Sequence, residues 1–296
     1  MDYSKIDAPT LRKINEKEYK KASQWIDFEP LPMFKLWEEQ IKVRDGATIP
    51  VRIFKPIQKS PLPLIVFFHG GGFVTRSIDT HDKACRRIAQ MNEAVVVSVG
   101  YRLAPEFKFP IPVYDCYDAT CWAASQAERW GGDPERLVVM GDSAGGNLAT
   151  VVAIQARKLN GPRISSQVLI YPTTDGRMIS STILTFGKGY LLTKALMEWF
   201  VDHYKAKEAD KLDPRMSPLL EADLSNLPPT YLSTAEFDPL KGEGEAYAQR
   251  LSEAGNKVVF KEYKGMIHGF LNLPKITTKQ TMQMHEDIKL FLGTFE

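Results

Sequence analysis

Three short runs in this chain are apolar at nearly every position: 64–68 (Leu-Ile-Val-Phe-Phe), 94–99 (Ala-Val-Val-Val-Ser-Val) and 137–140 (Leu-Val-Val-Met). Runs so short and so uniform predict strands buried on both faces, the habit of parallel sheets. Earlier, residues 41–44 and 51–54 alternate apolar and polar positions around Asp45-Gly46, which predicts an antiparallel hairpin with one wet face. Residues 56–63 read as a loop. Further strands are predicted at 167–171, 230–235 and 257–260. Between the strands the period lengthens to that of a helix over 79–91, over an Ala-rich 113–130 closed by Gly131-Gly132, and over 149–159, which stops at Asn160-Gly-Pro162. Residues 241–254 and 278–291 are helical by the same test, the latter with Met284, Ile288 and Phe291 on one face.

Strands alternating with helices specify an α/β fold, a mostly parallel central sheet with helices on both faces. Two segments break the rhythm. Residues 16–26 predict an amphipathic helix ended by Pro30 and Pro32, and 173–213 predicts a largely helical insertion carrying Phe186, Tyr190, Leu191, Trp199 and Phe200. With no repeat or linker to divide it, the chain reads as a single domain over 1–296, with about 1–38 and about 173–213 packed on it as a helical cap.

Composition narrows the function classes. A net charge of +2 from scattered Lys and Arg offers no basic surface for nucleic acid or a polybasic membrane contact. The first ten residues hold no apolar signal region and no run reaches spanning length, so a cytoplasmic protein without stable membrane insertion is expected. Cys85, Cys116 and Cys121 are odd in number and lack metal-ligand spacing, so buried thiols are expected rather than disulfides or a metal site.

Candidate chemistry sits in the loops that follow strands, where open parallel sheets gather functional groups. Gly141-Asp142-Ser143-Ala144-Gly145 joins a predicted strand to a predicted helix. Such a turn forces its central residue into a strained conformation and exposes its side chain beside the first amides of the helix. A serine hydroxyl is a poor nucleophile and needs a base. His268 follows the strand at 257–260 and can serve, given a carboxylate to hold its other nitrogen. Asp238, after the strand at 230–235, is the leading choice; Glu236 is the rival. Asp142 is expected only to hydrogen-bond locally within its turn, His81 to act as a structural hydrogen-bonder, and His203 and His285 to lie on the surface. Attack on a carbonyl creates an oxyanion that preset N–H donors stabilise. Ala144 can provide one, and Gly71 and Gly72 of His69-Gly-Gly-Gly-Phe73 the others, with His69 bracing that loop.

Taken together, His69-Gly-Gly-Gly-Phe73, Tyr101-Arg-Leu-Ala-Pro-Glu106, Gly141-Asp-Ser-Ala-Gly-Gly-Asn147, Glu236-Phe-Asp-Pro-Leu240 and Ile267-His-Gly-Phe270 make the chain resemble the hormone-sensitive-lipase-like family of α/β-hydrolases, the family IV carboxylesterases. The resemblance spans roughly residues 40–296. It implies a triad of Ser143, Asp238 and His268, an oxyanion hole of Gly71, Gly72 and Ala144, an acyl-enzyme intermediate, and neither a metal nor an organic cofactor. The aromatic residues of the cap segments suggest short- to medium-chain esters as substrates. Related esterases often dimerise, although no exposed apolar stripe here argues independently for a homodimer. Gly242 departs from the family, which usually carries an acid there, and this leaves local helix capping in question. Other readings share the fold: a non-catalytic small-molecule receptor like the plant gibberellin receptors, an amidase or lactonase using the same triad, or an acyltransferase.

Overall fold

Eight strands form one sheet: β1 (Lys35–Lys42), β2 (Thr48–Lys55), β3 (Leu62–Phe68), β4 (Val95–Val99), β5 (Gly132–Asp142), β6 (Ser166–Ile170), β7 (Thr230–Phe237) and β8 (Val258–Ile267). This computed structural model describes residues 5–294, the side chain of Gln24 excepted. The strands lie side by side in the order β1-β2-β4-β3-β5-β6-β7-β8. β2 runs antiparallel to both its neighbours and the rest are parallel, so the sheet is mostly parallel. The described residues form eight α-helices: α1 (Ala8–Ile26), α2 (Asp82–Asn92), α3 (Ile111–Trp130), α4 (Ala144–Lys158), α5 (Ser181–Phe186), α6 (Lys194–Tyr204), α7 (Lys241–Glu253) and α8 (Thr278–Gly293).

The period-2 geometry of a strand explains the layering. In β3, Leu64, Val66 and Phe68 join one core with Val113 of α3, Leu148 and Val152 of α4 and Leu251 of α7. The intervening Ile65 and Phe67 point the other way, into a core with Ile88 of α2 and Met284, Ile288 and Phe291 of α8. Helices therefore cover both faces, and the central strands read as unbroken apolar runs because neither side is wet.

Boundaries differ from the sequence expectation where packing outweighs local propensity. α4 begins at Ala144 rather than 149, because Gly145 and Gly146, poor helix formers by themselves, are helical. β5 begins at Gly132 because Gly132 and Asp133 pair with Leu62 and Pro63 before a register shift. For the same reason β3 takes in two residues read as loop. β8 continues to Ile267, through Lys261, Glu262 and Lys264. Those charges fit an edge strand and masked it in the pattern.

The two segments outside the alternation lean on the loops that leave β3 and β4. On α1, Arg12 donates to the carbonyls of Val74 and Ala104 and pairs with Glu106 at 2.7 Å. Otherwise α1 is lightly held: among its described side chains only Ala8 and Leu11 are buried. Trp199 of α6 donates through Nε1 to the Ile6 carbonyl at 3.2 Å, and the Tyr204 ring stacks on Phe73 at 3.9 Å. Residues 1–4 of the expected cap segment lie outside the described residues.

Inside α7, Glu243 is buried and its Oε1 accepts from Thr173 Oγ1, Thr174 N and Asp175 N, tying that helix to the start of the insertion. Its neighbour Gly242 leaves room for the same segment: a Cβ there would sit 2.3 Å from Ser180 Oγ, while the Gly242 amide donates to Thr182 Oγ1 at 3.1 Å. The insertion thus supplies the capping that the family's acid would have offered.

Burial pushes the Glu243 carboxyl up to about 8, against the pull of its three donors. A carboxyl whose folded value lies above its unfolded one stabilises fully below the unfolded value, and that contribution drains away as pH rises through the folded value. Thermal unfolding should therefore show stability falling between about pH 5 and 8, by at most about 1.4 kcal/mol per pH unit from this group. Glu243→Gln should flatten that slope, an outcome read from melting temperatures across the range.

Candidate active site

The turn from β5 into α4 is built on close backbone approach. A Cβ on Gly141 would lie 2.3 Å from the Gly145 carbonyl carbon, and one on Gly145 only 1.9 Å from the Phe68 carbonyl oxygen at the end of β3. Backbone cannot yield to such contacts, so only glycine fits at either place. Ser143 between them adopts φ 56° and ψ −118°, a strained left-handed conformation for a residue with a side chain. Its amide donates to the Ile170 carbonyl of β6 at 2.8 Å, which fixes the turn against the neighbouring strand.

The loops after β7 and β8 bring two more side chains to this point. His268 Nε2 lies 2.9 Å from Ser143 Oγ, and His268 Nδ1 lies 2.7 Å from Asp238 Oδ2. Asp238 is fully buried, and its other oxygen accepts from the Leu240 amide at 2.8 Å. The carboxylate is held on both sides and cannot rotate away from the imidazole without leaving an amide unsatisfied. The Tyr171 ring meets His268 edge-on, with centroids 4.8 Å apart, and limits its swing. Tyr171 was not singled out by the sequence, since nothing local marks a strand-end tyrosine as touching a histidine almost a hundred positions away.

Glu236 is not drawn into this chain of contacts. Its Oε2 accepts from the Gly265 amide at 2.7 Å, bracing β8 against β7 rather than facing His268.

Beside Ser143 lies the loop that follows β3. Gly71 and Gly72 have φ 121° and 62°, and a Cβ on Gly72 would run into the Phe200 ring at 2.2 Å. Their amides donate no hydrogen bond among the described residues, whereas the Gly71 carbonyl accepts from Val74 and Thr75. Ala144 carries the first amide of α4, which by position has no intrahelical acceptor. His69 stacks on Tyr101 at 4.4 Å with its Nδ1 2.7 Å from the Gly70 carbonyl, and burial beside His81 lowers it to about 3. It is therefore neutral.

Asp142 corrects the expectation of purely local bonding. Its Oδ1 accepts from the Gly70 amide at 2.9 Å and meets His81 Nε2 at 3.2 Å, so it spans from the serine turn to the glycine loop. Burial raises this carboxyl, but His81 and the Gly70 amide outweigh that and hold it below the ordinary carboxylate range. The reason sequence could not supply this partner is that it is 72 positions away, joined only by the sheet. Two further histidines also differ from expectation. His285 is fully buried, with neither ring nitrogen partnered among the described residues; burial lowers it to about 3, helped by Arg87. His203 is half-buried, its ring 3.9 Å from that of Trp199. Of the cysteines, Cys85 and Cys116 are buried and Cys121 half-buried, all free.

A cavity of about 300 Å³ opens above Ser143 and His268. Asn15, Tyr19 and Ile26 of α1 line it together with Leu191, Leu196, Met197 and Phe200 of the insertion. Asn147 of α4 pins the floor to the insertion by donating to the carbonyls of Thr173 and Met216 at 2.9 and 3.0 Å. No helix among the described residues is long and apolar enough to cross a membrane.

Comparison with known proteins gives the geometry a context. A family model described as the alpha/beta hydrolase fold matches residues 65–272. The chain is 43% identical over 242 residues to an ethyl acetate hydrolase of Pseudomonas putida, covering 80% of this chain and 76% of that one. It is 38% identical over 254 residues to an arylesterase of Saccharolobus solfataricus, covering 86% and 82%. Among solved structures, an esterase of Pyrobaculum calidifontis superposes with a TM-score of 0.91 at 40% identity, covering 98% and 94%. A thermostable carboxylesterase cloned from a metagenomic library gives 0.93 at 37%, covering 98% of each chain.

Removing the Asp142 carboxylate leaves a buried amide and a buried imidazole without their partner, a loss of about 1–3 kcal/mol per group. Asp142→Ala should therefore unfold at markedly lower denaturant than the wild type, while Asp142→Asn, which keeps an oxygen for Gly70, should recover most of the difference in the same titration.

Proposed function

Because the chain belongs to the α/β-hydrolase-fold family, in its hormone-sensitive-lipase-like branch of carboxylic ester hydrolases, we propose that it cleaves small carboxylic esters by acyl transfer through Ser143, with His268 as base and Asp238 as its partner. The observation that carries this reading is the continuous line of contacts from Ser143 Oγ through both His268 nitrogens to Asp238, at 2.9 and 2.7 Å, beneath the cavity.

In this mechanism His268 Nε2 takes the hydroxyl proton as Ser143 Oγ bonds to the ester carbonyl carbon. The carbonyl oxygen becomes an oxyanion between the amides of Gly71, Gly72 and Ala144, which need no reorientation because the turns have already fixed them. Asp238 stabilises the imidazolium so formed. The imidazolium then protonates the alkoxide as its bond to the acyl carbon breaks, leaving the acyl group on Ser143. Water, deprotonated by His268, repeats the sequence; the acid departs and the serine regains its proton.

The cavity volume of about 300 Å³ lies at the lower end of small-molecule sites and supports short- to medium-chain acyl groups. Likeness to an ethyl acetate hydrolase and an arylesterase points to the same class of small esters. We assign α1 and the 173–213 insertion the role of a cap that walls the cavity, on the strength of the side chains they contribute to it.

Ser143→Ala should abolish turnover of nitrophenyl butyrate, and Asp238→Asn should lower kcat by about ten-thousand-fold. Glu236→Gln should stay near the wild-type rate, since its carboxylate serves β8. Across nitrophenyl esters, kcat/KM should peak between acetate and hexanoate and fall for longer chains; a maximum at palmitate would contradict the size argument.

A further inference from the structure

The segments that line the cavity differ in chemistry. The insertion contributes Leu191, Leu196, Met197 and Phe200; α1 contributes Asn15 and Tyr19 beside Ile26, and the loop after β3 adds Arg76, the only Lys or Arg bordering the cavity among the described residues. Arg76 is unusual in three respects. Its backbone is left-handed, with φ 71°, a conformation that favours glycine and is disfavoured for a long side chain. Its side chain is folded against the glycine loop, with Cγ 2.8 Å from where a Cβ on Gly71 would stand. The residue is half-buried and its guanidinium lies deeper, yet it makes no hydrogen bond or ion pair among the described residues.

The contrast with the other arginines is plain. Arg52, Arg102, Arg177 and Arg215 each meet a carboxylate at 2.5 to 2.8 Å. Asp142 borders the same cavity and acts on Arg76 electrostatically, but it forms no ion pair with it, and its Oδ1 is committed to Gly70 and His81. Burial depresses the guanidinium from its ordinary value, but arginine remains charged at any working pH. A strained, charged fork that borders the cavity without a hydrogen-bonded carboxylate of its own is the arrangement a planar anion completes.

We propose that Arg76 binds a carboxylate carried by the substrate, so that the preferred esters are those with one apolar arm and one arm ending in a carboxylate. The apolar arm lies under the insertion, the ester carbonyl over Ser143, and the carboxylate on the Arg76 fork beside Asn15 and Tyr19. The inference rests on the acyl-transfer reading of Ser143 and adds a substrate class to it. The carboxylate can belong to the acid, as in a monoester of a dicarboxylic acid, or to the alcohol, as in an acylated hydroxy acid.

The test compares kcat/KM for monomethyl and dimethyl esters of dicarboxylic acids from malonate to adipate, and for acetoxy acids and their methyl esters, in wild type, Arg76→Met, Arg76→Gly and Arg76→Lys. The ratio of the anionic to the neutral ester should fall about 10- to 100-fold in the Met and Gly variants, chiefly through KM, and less in the Lys variant, which keeps the charge but loses the fork. Whichever series shows the larger drop identifies the arm that bears the carboxylate. A ratio in Arg76→Met close to that of the wild type in both series overturns the proposal. A second readout needs no turnover: glutarate should raise the melting temperature of Ser143→Ala but not of Ser143→Ala with Arg76→Met. A shift that survives loss of Arg76, or no shift in either protein, also overturns it. If the wild type cleaves no ester at all, the acyl-transfer reading fails, and the glutarate measurement still decides the role of Arg76.

Discussion

The candidate site depends on one steric fact, that the start of α4 passes so close to the end of β3 that position 145 has no room for even a methyl group. From that contact follow the reversal at Ser143, the exposure of its hydroxyl, and the nearness of the serine turn to the loop that leaves β3. A wider packing of helix on sheet would relax the backbone at 143 and move the first amide of α4 away from those of Gly71 and Gly72. Strain at a single residue is tolerable because the strands on either side, β3 from Leu64 to Phe68 and β6, are buried and leave the turn no alternative path.

Three polar links keep the assembled loops in step. Asp142 joins the serine turn to the glycine loop, Asn147 joins α4 to the insertion, and Glu243 joins α7 to residues 173–175. Each is a buried side chain with backbone groups among its partners, so each acts as a spacer of fixed length between segments that the apolar core alone would let slide. Apolar packing is tolerant of small shifts; a buried carboxylate with two committed partners is not.

Most of the sheet was legible from the sequence because its central strands are buried on both faces and its helices on one, and those two conditions leave different periods in the chain. Legibility failed where exposure or backbone geometry overrode the pattern. β8 was read as four residues because its outer half is a charged edge, and α4 was read five residues late because two glycines suited to close packing look like a break. The side chains now found within hydrogen-bonding distance, Ser143, His268 and Asp238, were named from the loops they occupy and their order along the chain. What sequence could not supply was the second partner of each polar group: that Asp142 reaches Gly70, that Glu236 serves β8, that His285 is enclosed, or that Arg76 borders the cavity. Those are facts of convergence between distant segments, and a single chain without its fold contains no distance between them.

The light anchoring of α1 has a consequence for how the cavity exchanges its contents. One wall is formed by a helix with two buried side chains, one multidentate arginine and a backbone bond from Lys275 to Ile26, whereas the opposite wall packs on Leu240 and reaches the main core through Leu196 and Phe200. Free energy for local opening is therefore lowest along the amino-terminal side. The latch on that side includes an exposed ion pair, which dissolved salt screens far more than it does apolar packing, so ionic strength loosens this wall before the opposite one.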